Sequence, residues 1–248
     1  MPSADSAIFG EILSKTKAKC DAVICTTTGG SVEMTVEERS AVVGAYSPEL
    51  ASLNTGSLNF ALHPILDKLK DFKYEWESKY LEMSENFIFP NTFKTLREFN
   101  AIFANEGTKP EFEVYDVGML NNLAFLLSKG GVKKPVYLQF VLGILGGLPA
   151  TVNNLVILHN TAKEVLGKDF VWSVCAAGKS QFPMCTASLL MGGFSRVGLE
   201  DNLHYDEGRT ELATNVRLVE RLARIAAELQ RPIATPAQGA CMGTPAAM

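Results

Sequence analysis

The sequence predicts an α/β protein with a parallel β-sheet that is covered by helices. Six β-rich segments alternate with segments of helical periodicity along the 248 residues, and this alternation is typical of βα units. The β-rich segments are short and rich in Val, Ile, Leu and Phe, as expected of strands buried on both faces. With 47% hydrophobic and 20% charged residues, the chain can bury a sizeable core. A (β/α) barrel and an open, doubly wound sheet both meet this description.

The first part of the chain contains two helix–strand pairs. Residues 6–18 place Ile, Phe and Leu at helical spacing, and residues 21–30 form a β-rich run that ends in two glycines. Thr35, with Glu38 three residues later, has the pattern of a capping box and predicts that the second helix begins there. Residues 50–60 predict the second strand.

Residues 61–92 lack a regular period. Aromatic residues, among them Trp76, alternate with charged residues in this segment, which is typical of a long connection with local structure. Such a segment suits either a lid over a site or a cover for the bottom of a barrel.

The rest of the chain continues the alternation. A helix over residues 91–107 is predicted to end at Gly107, a strand follows at 111–118, and the next helix, over 119–131, ends in paired glycines. The unit then repeats, with strands predicted at 135–143, 169–178 and 194–201 and helices near 181–191 and 214–229.

Composition argues against several classes of function. The net charge is −4 and the Lys and Arg residues are scattered, which argues against a nucleic-acid partner. The five cysteines show no C-x-x-C spacing, so neither a disulfide framework nor a zinc ribbon is predicted. No signal-peptide pattern begins the sequence, and no window reaches the roughly 18 apolar residues of a membrane span. We therefore expect a cytoplasmic protein without a membrane partner.

Polar side chains concentrate on single faces of the predicted strands. The period of two residues places Glu111, Glu113 and Tyr115 on one face of one strand, and Arg196, Gly198 and Glu200 on one face of the last. Gln139 lies within the strand between them in the chain. Buried charges require partners, so these residues form either a structural network of ion pairs or a functional site. Their position at the carboxyl ends of strands favours the site.

The Gly-rich segment 143–154 carries no nucleotide-binding fingerprint. It matches neither G-x-G-x-x-G nor a P-loop, so a tight strand-to-helix turn is favoured over a phosphate cradle. The missing fingerprint also disfavours a nucleotide-binding enzyme built on an open sheet.

Several motifs together resemble the β-keto acid cleavage enzymes, which include 3-keto-5-aminohexanoate cleavage enzyme. In chain order the motifs are TTTGG, LASLNTGSLNF, FEVYDVGML, LQFVLGILGGLPAT, WSVCAAGKSQFPM, RVGLEDNL and RPIATPAQ. They extend over nearly the whole chain. The combination of GLEDN after a strand with FVLGILGG is more specific than either motif alone.

The resemblance implies a (β/α)8 TIM barrel, a homo-oligomer and a divalent metal, usually zinc. It also implies an acyltransferase that condenses a β-keto acid with acetyl-CoA and cleaves the adduct into acetoacetate and a new acyl-CoA. By the same resemblance, Glu200 is a metal ligand. Asp201 is the general base, and Arg196 orients Asp201. Thr27 supplies a hydroxyl that holds the substrate or an oxyanion, and Ser52 and Glu113 line the substrate pocket. These residue types suit the chemistry, because a carboxylate held near an arginine stays ionised and can accept an α-proton.

The sequence departs from the family pattern in two respects. The family's other metal ligands form an H-x-H pair at the end of the second barrel strand, whereas the three histidines here are isolated. Six βα units are also predicted instead of eight, so residues 1–248 are expected to form one incomplete barrel domain with an irregular insertion near 61–92. A truncated sequence, a partner chain that supplies the missing ligands, and a non-catalytic remnant each explain these departures. The activity of the family and the activity of this chain are therefore separate predictions.

Overall fold

The computed structural model describes residues 3–31, 33–67, 69–130 and 132–240. The helices are α1 (Ser6–Lys17), α2 (Val36–Tyr46), α3 (Glu75–Met83), α4 (Phe93–Glu106), α5 (Val117–Ser128), α6 (Val152–Leu166), α7 (Gln181–Leu190), α8 (Asn215–Glu228) and α9 (Pro236–Ala240). The strands are β1 (Cys25–Thr26), β2 (Leu50–Asn54), β3 (Leu58–Asn59), β4 (Ile88–Phe89), β5 (Lys109–Val114), β6 (Val136–Leu142), β7 (Phe170–Ala176) and β8 (Phe194–Ser195). None of the described helices has the length and apolar character required to cross a bilayer.

Six strands form one parallel sheet in the order β1-β2-β5-β6-β7-β8. The strands of this sheet are thus neighbours in space in the same order as in the chain, without the reversal of order that defines a doubly wound sheet. The sheet curls into a half-barrel, and the predicted α/β class with an incomplete TIM-barrel architecture is confirmed.

The two faces of the sheet differ in chemistry. On the outer face, Phe112, Val114, Leu138, Phe140 and Val174 are at most 1% exposed and pack with the helices in one apolar core. The inner face carries the alternate residues of the same strands, and many of these are polar. Because side chains alternate between faces along a strand, a single sequence period encodes both the core and the polar inner face.

Local signals correctly place several helix ends. Thr35 and Glu38 form the predicted capping box at the start of α2. Gly107 ends α4 in a left-handed conformation, with a φ of +69° that glycine adopts without steric cost. Helix α5 ends at Ser128, and the second of the two predicted glycines after it lies outside the described residues.

The last strand is shorter than the sequence predicts. Strand β8 ends at Ser195, and the backbone N–H groups of Asp201 and Asn202 both donate to the carbonyl oxygen of Gly198. The segment from Gly198 onward is therefore a turn. The prediction that Arg196, Gly198 and Glu200 share one strand face is wrong, because hydrogen bonds within the turn replace the ladder after Arg196.

The segment 61–92 contains more regular structure than its sequence suggests. It includes helix α3, two short 3₁₀ segments and β4, which pairs antiparallel with β3 in a separate two-stranded sheet. Trp76 stacks on Tyr74 and contacts Tyr80 edge to face. Ring contacts thus add to the backbone hydrogen bonds of α3 and of the β3–β4 ladder in this segment.

Candidate active site

Arg196 is the centre of a polar cluster at the carboxyl end of the sheet. Its backbone N–H donates to the carbonyl oxygen of Val174 at 2.9 Å, which continues the β7–β8 ladder by one residue. This bond anchors the residue while its side chain, 30% exposed, extends over the inner face. The guanidinium contacts four side chains, which are Gln139, Glu113, Glu200 and Asp201.

Asp201 and Arg196 form a two-point ion pair. The Nε and Nη2 atoms of Arg196 donate to Oδ2 and Oδ1 of Asp201 at 3.2 and 3.3 Å. The turn described above brings Asp201 back to Arg196, and its carbonyl oxygen accepts from the N–H of Gly178 at 2.7 Å. The Asp201 side chain is 11% exposed, so the pair is held at both the main chain and the side chain.

Glu113 approaches the same guanidinium from β5. Its Oε1 lies 3.8 Å from Nη1 of Arg196, its side chain is 13% exposed, and Tyr115 donates a long hydrogen bond of 3.4 Å to its other oxygen. Glu111 lies two residues earlier on the same face and is buried. The prediction that Glu111 and Glu113 share one face of a strand is confirmed, because both lie within β5, two residues apart, whereas Tyr115, the third residue of that prediction, lies one residue past the end of the strand.

The cluster carries more negative than positive charge, and this changes the acidity of its members. Burial, and next the carboxylate of Glu111, raise the pKa of Glu113 to about 7 against the opposing effect of Arg196. Burial also raises the pKa of Asp201 to about 6, although Arg196 lowers it. Both carboxyl groups therefore titrate close to neutral pH, where general acids and bases are most effective.

The other predicted site residues lie at different distances from this centre. Ser52 is in register with Glu111 on the inner face, one strand away. Thr27 lies in the loop after β1, is exposed, and its hydroxyl oxygen accepts from the N–H of Gly29 at 2.9 Å.

Glu200 extends into solvent, and its side chain is 82% exposed. Its Oε2 atom accepts from Nη2 of Arg196 at 2.5 Å. The structure thus brings together Arg196, Glu113, Glu200 and Asp201, and places Ser52 on β2 and Thr27 in the loop after β1, toward the β1 edge of the sheet.

The residues present do not fit the metal site that the resemblance implies. A catalytic zinc site requires about three protein ligands, and among the described residues no group of three His, Cys, Asp or Glu side chains is arranged to hold an ion. Glu200, the implied ligand, is instead paired with Arg196. His204 lies in a loop, where it forms an isolated bridge with Leu212.

Two inner-face residues to which the sequence assigned no role, Ser173 and Tyr137, are connected to the site through Gln139, which the strand pattern already placed there. Gln139, Ser173 and Tyr137 form a hydrogen-bonded group beside Arg196. The strand period could have found Ser173 and Tyr137 as well, because Tyr137 and Gln139 are two residues apart and Ser173 occupies the same position on the next strand. Single polar residues inside apolar strands were the signal.

This arrangement can perform proton transfer next to a fixed positive charge. A carboxylate with a pKa of about 6 is mostly ionised at neutral pH and can accept a proton. The adjacent guanidinium can stabilise negative charge that develops on a substrate. Such a pair suits the formation and use of an enolate.

Comparisons with known proteins show which family this chain resembles. A family model described as beta-keto acid cleavage enzyme matches residues 1–240. A 3,5-dioxohexanoate:acetyl-CoA acetone transferase from Paraburkholderia graminis is 42% identical over 237 residues, which cover 96% of this chain and 76% of that protein. A 3-keto-5-aminohexanoate cleavage enzyme from Acetoanaerobium sticklandii is 34% identical over 238 residues, which cover 96% of this chain and 77% of that protein.

A solved structure supports the fold. The apo structure of ObcA superposes with a TM-score of 0.68 at 18% identity, over 92% of this chain and 52% of that chain. The chain thus spans about half the length of the ObcA chain, and the likeness concerns the fold alone. The family model and the two relatives carry the assignment: the chain belongs to the β-keto acid cleavage enzyme family.

Proposed function

We propose that this protein is an acyltransferase that condenses a β-keto acid with acetyl-CoA and cleaves the adduct to acetoacetate and a new acyl-CoA. The observation that carries the proposal is the Arg196–Asp201 ion pair on the inner face, with Glu113 beside it. Family membership and relatives named for acetyl-CoA-linked transfer support the reaction class.

The proposed steps balance without any further reactant. Asp201 accepts the α-proton between the keto and carboxylate groups, and the resulting enolate attacks the thioester carbonyl of acetyl-CoA, which releases the CoA thiolate. The thiolate then attacks the original keto carbon, and the carbon–carbon bond breaks to give the new acyl-CoA and the carbanion of acetoacetate. Asp201 returns its proton to that carbanion. Arg196 orients Asp201 and stabilises the enolate charge, while Ser52, Glu113 and Thr27 line the path of the substrate.

A divalent metal, zinc by family resemblance, stays a prediction. In this family such an ion would polarise the keto oxygen as a Lewis acid. The described residues supply Glu200 as a single candidate ligand, so none of the steps above involves the metal. The homo-oligomer and the cytoplasmic location likewise stay predictions from the sequence.

The alternative is a chain that is non-catalytic or that needs a partner to complete its site. The absence of a three-ligand group among the described residues favours this alternative. Both hypotheses share the fold and the polar cluster, and they differ in turnover.

The test is a direct product assay with a matched control. The purified protein is incubated with acetyl-CoA, divalent metal ions and a panel of β-keto acids, and acetoacetate and new acyl-CoA are measured by mass spectrometry. We expect Asp201→Asn to lower turnover about 100-fold or more, because it removes the general base. Asp169→Asn is the control, since Asp169 is exposed at the opposite end of the sheet next to Lys134. A folded protein without product on the whole panel supports the non-catalytic alternative.

A further inference from the structure

Gln139 occupies the middle of the inner face and connects three strands. It is 1% exposed, and it lies in register with Glu113 of β5 on one side and Ser173 of β7 on the other. A polar side chain at this depth requires hydrogen-bond partners, and the identity of those partners indicates its role.

A backbone carbonyl fixes the direction of the hydrogen bonds around Gln139. Ser173 Oγ lies 3.4 Å from the carbonyl oxygen of Leu138, which can only accept, so the Ser173 hydroxyl donates there. The lone pairs of Ser173 Oγ then accept from the Tyr137 hydroxyl at 3.1 Å and from Nε2 of Gln139 at 3.4 Å. The amide nitrogen of Gln139 therefore faces Ser173, and its oxygen must face the other way.

That oxygen faces Arg196. Gln139 Oε1 accepts from Nη1 of Arg196 at 2.9 Å and from the Cys175 thiol at 3.5 Å. The remaining guanidinium donors, Nε and Nη2, are the two that bind Asp201. Gln139 thus holds one edge of the guanidinium while the opposite edge holds Asp201.

The neutral charge of Gln139 matters as much as its position. Glu113, Glu200 and Asp201 already place three carboxyl groups around one guanidinium. An amide oxygen adds an acceptor without a further negative charge that would compete with Asp201 for Arg196.

We propose that Gln139 is a positioning residue, whose carbonyl oxygen fixes the Arg196 guanidinium so that Nε and Nη2 face Asp201. This inference rests on the proposed function for its catalytic meaning, but its geometric content can be tested without substrate.

The test measures the mobility of the Arg196 guanidinium by ¹⁵N NMR, with its signals assigned by their loss in Arg196→Lys. The variant Gln139→Met keeps the side-chain length and removes the acceptor. We expect rotation about the Nε–Cζ bond and exchange of the Arg196 side-chain protons to become at least tenfold faster than in the unmodified protein. Val141→Ala is the control, because Val141 lies two residues along β6, is buried, and is an apolar residue of the core.

Two outcomes overturn the proposal. One is a folded Gln139→Met protein whose Arg196 mobility stays within twofold of the unmodified protein. If Gln139→Met does not fold, as judged by circular dichroism, Ser173→Ala is used instead, since it leaves Gln139 in place and removes the acceptor that holds its amide nitrogen. Unchanged Arg196 mobility in a folded Ser173→Ala protein overturns the proposal as well.

The product assay separates this inference from the proposed function. Faster Arg196 motion in Gln139→Met, together with no product on any β-keto acid, leaves the positioning role intact and removes the proposed reaction. Where product forms, we expect Gln139→Met to lower kcat more than it changes KM, because a displaced Arg196–Asp201 pair affects the transition state.

Discussion

Replacement of Glu113 by glutamine should remove the part of the pH dependence of the unfolding free energy that comes from this carboxyl group. The change keeps the size of the side chain and removes its charge. In the folded protein, burial and the neighbouring Glu111 carboxylate raise the pKa of Glu113 from 4.5 to about 7. The folded protein therefore keeps this proton in a pH range where the unfolded chain has lost it.

The sign and size of the effect follow from this difference. Stability that comes from the protonated Glu113 is fully present below pH 4.5 and is lost as pH rises through about 7. Each pH unit in that window corresponds to about 1.4 kcal/mol, so the loss reaches about 3 kcal/mol above the window. Since the side chain is 13% exposed, solvent screening reduces this figure little. A glutamine side chain does not ionise, so its burial costs the same at every pH. The variant and the original protein should therefore have equal unfolding free energies near pH 4, and the variant should be more stable near pH 8.

The assay is urea unfolding of both proteins between pH 4 and 8.5, followed by circular dichroism. The difference in unfolding free energy between them isolates Glu113 from every other titrating group. Glu98→Gln is the matched control, because Glu98 forms an exposed pair with Lys94 at 3.6 Å, which is worth at most about 1 kcal/mol. A difference that does not grow between pH 4.5 and 7, or that grows in the opposite direction, would refute the reasoning.

Three further predictions concern other parts of the chain. Gly146→Ala should lower the unfolding free energy by about 1–3 kcal/mol, since φ is +101° and a Cβ would lie 1.8 Å from the carbonyl oxygen of Asn59. Gly44→Ala in α2 is the control, because open space surrounds this position, and its unfolding free energy should rise by about 0.5–1 kcal/mol. Equal changes of unfolding free energy in the two variants, measured with urea, would contradict this prediction. Thr35→Ala should lose about 1 kcal/mol in the same experiment, because it breaks the capping box of α2, and an unchanged midpoint would show that the cap contributes nothing. Zinc should bind weakly in isothermal titration, because Glu200 is a single candidate ligand and already pairs with Arg196; tight binding at one ion per chain would overturn this.

Local signals explain why much of the fold could be predicted. Helix ends such as Thr35 and Gly107 depend on contacts within four residues, and the sequence displays these contacts directly. Strand periodicity likewise placed Glu111 and Glu113 on one face. The βα alternation predicted a parallel sheet, because parallel neighbours need a crossover connection.

The errors concern features that depend on distant segments. The strand predicted at 50–60 divides into β2 and β3, which join different sheets, because β3 pairs with β4 across the segment 61–92. The strand predicted at 194–201 stops at Ser195, where a turn stabilised by Gly198 takes over. No local period distinguishes a ladder residue from a turn residue in such short strands.

The sequence by itself determined the family, the α/β class, the helix caps and the residue types of the site, because motifs, caps and periodicity are local properties of the chain. Only the tertiary structure decided that Arg196 is the centre of the site, since its partners Glu113 and Gln139 come from strands far away in the sequence. It also decided that Glu113 and Asp201 titrate near neutral pH, because burial and the charges of neighbouring strands set those pKa values. Contacts between distant segments are fixed by packing of the whole sheet, and no local pattern in the sequence records them.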